Sequence, residues 1–142
     1  MHPNPAFRGT PEDDNLRFAG ARGFGMLCVN GADGPIAAHV PFVMAGARVV
    51  EVHLARSNAI ARAGLPAPAL LAVQGPDAYI SPDWYGVPDQ VPTWNYVAVH
   101  LRGVLSPMEG AELEPQVDAL SALEALQEKP VGQKATRQRG GR

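Results

Sequence analysis

Between Phe24 and Leu105, short apolar runs are separated by clusters of Gly, Pro, Asn and Asp, a pattern that predicts strands joined by turns. Phe24–Asn30 reads as a strand, and Asn30-Gly31-Ala32-Asp33-Gly34 supplies turn chemistry with two glycines able to take positive φ. Strands follow over Pro35–Met44 and Arg48–Leu54. A short helical run to Ala63 has Ser57 or Asn58 as its N-cap. Ala69–Val73 is a further apolar strand that leads into a stretch ending near Ser81. Pro82, Pro88 and Pro92 then shape a stiff loop before the last strand, Trp94–Leu105. Helical signals flank this β region. Thr10-Pro11-Glu12-Asp13 predicts a helix to about Ala19, broken by Gly20, Gly23 and Gly25. Ser106-Pro107-Met108-Glu109 is a capping box, and Val117, Leu120, Leu123 and Leu126 form a stripe after Pro115. The class expected is mainly β with flanking helices, α+β.

Faces follow from the alternation. In Trp94–Leu105, Val97, Val99 and Leu101 point to a core, and Trp94, Tyr96, His100 and Arg102 point away, a face suited to a ligand or a second subunit. For the hairpin around Ala45-Gly46-Ala47, pairing Met44 with Arg48 sets Phe42 against Val50, Val40 against Val52 and Ala38 against Leu54. A slip of one residue would set Val40 against Glu51. The favoured register predicts that His39 lies directly opposite His53.

Composition changes this picture little. The chain has 142 residues, 46% hydrophobic and 18% charged, which is one ordinary globular domain, and a net charge of −2 directs it to neither nucleic acid nor membrane. Cys28, in the apolar run Met26–Val29, reads as a buried thiol. With no run of transmembrane length and no signal-like N-terminus, a cytoplasmic location is expected. The residues from Lys129 onward have no core pattern and hold basic side chains, so a folded domain over 1–128 and a disordered basic tail over 129–142 are expected; nucleic acid is a possible partner of such a tail, with no reading motif to support it.

Candidate chemistry concentrates late in the chain. Aromatic residues are 6% of the total, yet both tryptophans and all three tyrosines lie in Gln74–Gly103. Rings on a stiffened loop suit a planar ligand, and equally a plug over a barrel end or a subunit interface. Arg56 beside a helix start at Ser57 or Asn58 has the makings of an anion seat, and equally of a capped helix with a solvated Arg. A metal or haem site from His39, His53 and His100 matches no metal-binding spacing.

Four segments in order carry a family resemblance: Ala37–Phe42 (AAHVPF), His53–Asn58 (HLARSN), Gln74–Tyr85 (QGPDAYISPDWY) and Val91–His100 (VPTWNYVAVH). Together they resemble the FMN-binding family typified by PaiB, a negative regulator of protease synthesis and sporulation. The resemblance implies an FMN-binding split β-barrel, usually a homodimer with flavin in a groove between subunits. It implies cofactor contacts at His39, Pro41, His53, Ala55, Arg56, Ser57, Asn58, Gln74, Tyr79, Ser81, Trp94, Asn95 and Tyr96. Among these, Arg56, Ser57 and Asn58 are expected at the phosphate, with Arg102 as a second phosphate candidate. The family's longer C-terminal part, with its basic motif, is not matched, which counts against a regulatory or DNA-linked role that depends on that part. Other readings are a flavin-dependent oxidoreductase of the pyridoxamine-phosphate-oxidase-like group and a cofactor-free interaction module; no catalytic residue stands out.

Overall fold

A computed structural model describes residues 9–108. Helix α1 (Glu12–Arg22) leads into β1 (Phe24–Gly31), β2 (Gly34–Met44) and β3 (Val50–Val52). The one-turn helix α2 (Ala59–Arg62), β4 (Ala67–Ile80) and β5 (Thr93–Leu105) follow. The C-terminal helical stripe and the basic tail expected from the sequence lie outside the described residues.

All strand pairs are antiparallel, and the five strands lie in the order β3-β2-β1-β4-β5. The sheet does not close on itself: it is a mainly antiparallel α+β fold of the split-barrel kind. On its concave face Ala38, Leu27, Leu71 and Leu101 form one cross-strand row. Val40, Phe42, Val73 and Val99 are buried on the same side. Ala19 of α1 and Ile60 of α2, both fully buried, complete the core. This is where the predicted side of β5 points, although Val97 at its far end stays exposed.

Helix α1 starts one residue later than predicted and runs past Gly20 to Arg22. Pro11 occupies the cap position, and no side chain caps the helix. Glu12, Asp13 and Asp14 in the first turn instead favour the positive end of the helix dipole. Gly20 is tolerated because it makes room: a Cβ there would meet Met44 Cγ at 3.0 Å. The stop comes at Gly23, left-handed with φ 58°, whose amide donates to Ala19 O at 3.0 Å. At the β1–β2 turn the strands run up to Gly31 and Gly34, leaving Ala32-Asp33 as the tip. Of the two glycines only Gly34 takes a positive φ, 130°.

The β2–β3 hairpin has the expected three-residue tip, but one position further along. Ala45 N donates to Val49 O at 3.0 Å, so Gly46, Ala47 and Arg48 make the bend. Every pairing therefore slides by two: Met44 faces Val50, Val43 faces Glu51 and Phe42 faces Val52. A slip of two preserves the faces, so hydrophobic patterning cannot distinguish these registers. Contacts with α1 accompany the observed one, through Met44 against Gly20 and an ion pair of 2.8 Å between Arg48 and Glu12. The predicted opposition of His39 and His53 is lost. His39 pairs across to Met26 on β1, and the His53 amide donates to Pro41 O at 3.3 Å.

Candidate functional site on the convex face of the sheet

The side of the sheet away from the core carries most of the residues singled out by the sequence. One cross-strand row reads His39, Met26, Ala72, His100; the next reads Ala37, Cys28, Leu70, Arg102. Pro41 stands opposite Phe24, whose ring stacks on His39 with centroids 6.2 Å apart and planes 19° from parallel. Cys28 is half-buried on this face instead of lying in the core.

A bulge in β4 extends the face. Gln74 pairs with Ala98 and Asp77 with Tyr96, so Gly75 and Pro76 together oppose Val97. The extra residue exchanges the faces of the rest of the strand. Asp77 and Tyr79 consequently project to the same side as Gln74, and the Gln74 amide donates to Asp77 Oδ2 at 2.8 Å. Pro76 suits this place because a bulged position needs no ladder donor. Gly75 suits it because a Cβ would meet Phe18 Cζ at 2.7 Å and Val97 Cβ at 3.0 Å. Beyond the bulge, β4 and β5 continue as a two-stranded arm. On that arm Tyr79, Trp94 and Tyr96 stand on the convex side, each about half exposed.

His39, Pro41, Gln74, Tyr79, Trp94 and Tyr96 thus share one open face, drawn from three separate sequence segments. His53 meets it at the edge, through its bond to Pro41. Asn95 pairs with Ala78 and faces the opposite side of the arm. Ser81 caps the short 3-10 turn Pro82–Tyr85: its hydroxyl accepts from Asp83 N at 3.3 Å and donates to Asp83 Oδ2 at 3.2 Å. Trp84 and Tyr85 ride on that turn, exposed.

Ala55, Arg56 and Ser57 leave the edge of β3 in an exposed turn, closed by Asn58 N donating to Ala55 O at 2.8 Å. Asn58 is the helix cap, and its Oδ1 accepts from Ile60 N at 2.9 Å. Two amides at this helix start, those of Asn58 and Ile60, are thus used by the protein itself. The Arg56 side chain is solvent-exposed.

Phe24, Met26, Ala72 and Asp77 were not singled out from the sequence. Strand alternation from Phe24 through Met26 to Cys28 points to the first two. The Gly-Pro pair inside a strand pattern signals the bulge that turns Asp77 outward. Chemically, the face offers flat rings, a carboxamide–carboxylate pair and imidazoles around an apolar centre, a fit for a planar heteroaromatic ring with polar edges. Among the described residues no group of three or more His, Cys, Asp or Glu is placed to hold a metal, and no helix is long and apolar enough to cross a membrane.

Comparison with known proteins agrees with this chemistry. The model of a family described as "Putative FMN-binding domain" matches residues 1–139. The Bacillus subtilis protein "Protease synthase and sporulation protein PAI 2" is 33% identical over 115 residues, which cover 78% of this chain and 55% of that protein. "Uncharacterized protein YKL070W" of Saccharomyces cerevisiae is 35% identical over 79 residues, 49% of this chain and 47% of that protein. The chain spans about half the length of these curated relatives.

Proposed function

The chain belongs to the FMN-binding domain family, with FMN as the cofactor, and from that premise we propose where the flavin sits and what the complex is for. The isoalloxazine ring lies on the convex face, bordered by Tyr79, Trp94 and Tyr96, with Gln74 and His39 at its polar edges. The phosphate goes to the turn Ala55–Asn58, held by the Arg56 guanidinium and the Ser57 hydroxyl. Asn58 shapes that turn, and His53 and Pro41 link it to the sheet. Asn95 and Ser81 hold the arm and its loop. A second copy of the chain covers the flavin, making a homodimer. The resulting cytoplasmic flavoprotein acts as a regulator of the PaiB type.

One observation carries this reading. Six residues from three sequence segments, too far apart to meet by local structure, converge on a single uncovered face that is apolar at its centre and ringed by polar groups. Solvent-exposed clusters of large apolar side chains mark interaction surfaces. The regulatory part extends the resemblance to PaiB-type proteins, and the 33% identity to a protein named for protease synthesis and sporulation, over 55% of its length, is what supports it. The test is titration of the purified chain with FMN, read by flavin fluorescence, alongside its molar mass in solution. Saturable quenching with a two-chain mass is the expected result. A chain that leaves FMN fluorescence unchanged at any concentration overturns the assignment.

A further inference from the structure

The carboxylate of Asp77 sits beside the proposed flavin site without a part in it. In an unbroken strand, residues three apart project to opposite faces. Gln74 and Asp77 share the convex face because Gly75 and Pro76 together occupy one position of the ladder. The bulge thus creates this neighbour pair, and bulges that re-aim a side chain recur beside functional sites. Gln74 Nε2 donates to Asp77 Oδ2 at 2.8 Å, with both side chains exposed. Water competes for such a bond, so it contributes little to the stability of the fold. Its consequence is orientation. A carboxamide can turn over about its last torsion, exchanging oxygen for nitrogen at nearly the same shape. A carboxylate accepts and does not donate, so it bonds to one of the two orientations. The Gln74 nitrogen is held toward Asp77, and the Gln74 oxygen and one remaining N–H are left for other partners.

We propose that Asp77 is the positioning residue for Gln74, and that the pair selects a ring edge on which N–H and C=O stand side by side. The pyrimidine end of an isoalloxazine is such an edge, with N3–H between two carbonyls. The Gln74 oxygen accepts from that N–H, and its remaining N–H donates to a neighbouring ring carbonyl. This deepens the flavin placement proposed above and rests on it. Covering the site is what makes the orientation matter. With a ring over the pair, a carboxamide turned the wrong way sets its oxygen against the Asp77 oxygens, acceptors with no proton between them and no water to supply one.

The test is fluorescence titration of the full-length chain with FMN and with FMN methylated at N3, which lacks the ring donor. The wild-type chain should bind the methylated form about tenfold more weakly or worse, the order expected for one hydrogen bond lost in a covered site. Asp77→Ala should bring the two ligands within about threefold of each other, because Gln74 is then free to turn. Asp77→Asn keeps an acceptor for Gln74 Nε2 and should keep most of the discrimination. Gln74→Ala should abolish it, and adding Asp77→Ala to that variant should change nothing further. Full discrimination in Asp77→Ala overturns the positioning role, and so does an Asp77→Asn variant that behaves like Asp77→Ala, which would assign the effect to charge. A wild-type chain that binds both forms equally overturns the choice of ring edge, with no variant needed, while FMN binding stands. A wild-type chain that leaves FMN unbound overturns the flavin placement and this inference with it.

Discussion

Tyr79 stands directly opposite Trp94 across the β4–β5 ladder, their ring centroids 6.0 Å apart and their planes tilted by 52°. The pair meets on the convex face because the bulge at Gly75-Pro76 shifts the phase of β4 by one residue.

Replacing Tyr79 by alanine therefore removes one ring of the pair while leaving the bulge and the Gln74–Asp77 bond in place. The expected outcome is loss of the Tyr–Trp near-ultraviolet circular dichroism signal. FMN affinity should fall at least tenfold, about 1.4 kcal/mol. An unchanged affinity would remove Tyr79 from the flavin site.

Gly75→Ala tests packing under the bulge. The new Cβ would stand 2.7 Å from Phe18 Cζ and 3.0 Å from Val97 Cβ. The tip of Phe18 can swing away; the Val97 Cβ belongs to the ladder and cannot. A loss of about 1–3 kcal/mol is expected in denaturant unfolding, the usual cost of overpacking. Adding Phe18→Leu should return part of it.

At the proposed phosphate turn, Arg56 and Asn58 separate binding from stability. Arg56→Ala should weaken FMN while leaving riboflavin binding unchanged, with no shift in melting temperature, because the side chain is exposed. Asn58→Ala removes the cap on Ile60 N and should cost about 0.5–2 kcal/mol of stability. Equal loss of FMN and riboflavin in Arg56→Ala would rule out a phosphate role.

Met26 lies at the centre of the convex face, 37% exposed and flanked in its row by His39 and Ala72. Met26→Asp should leave the fold intact, since the side chain is not part of the core, and should reduce the mass in solution from two chains to one. Sedimentation equilibrium decides the matter. A dimer that survives the substitution places the contact elsewhere.

Much of this architecture was legible in the amino acids. Gly and Pro punctuation delimited β1, β2 and β5 to within a residue; β3 proved shorter than its apolar run, and β4 joined two predicted pieces into one. Asn58 was named among two candidate caps, and motif order pointed to the flavin. These features depend on neighbours in sequence, where turn chemistry, capping and period-two alternation act directly. Cys28 shows the limit: an apolar run specifies that a strand is buried on some side, not which of its residues faces the core.

Tertiary structure decided the rest. Patterning could not choose between hairpin registers two residues apart, because both set Phe42 against a valine. The observed one carries the contact of Met44 with Gly20 and the pairing of Arg48 with Glu12, both to a helix distant in sequence, and it moves His53 away from His39. Likewise, which face Tyr79 joins depends on a one-residue bulge that strand alternation does not encode. Alternation is conserved under even shifts and inverted by odd ones, so the residues themselves determined which side chains belong together in each strand. Only three-dimensional packing determined which strands' faces meet.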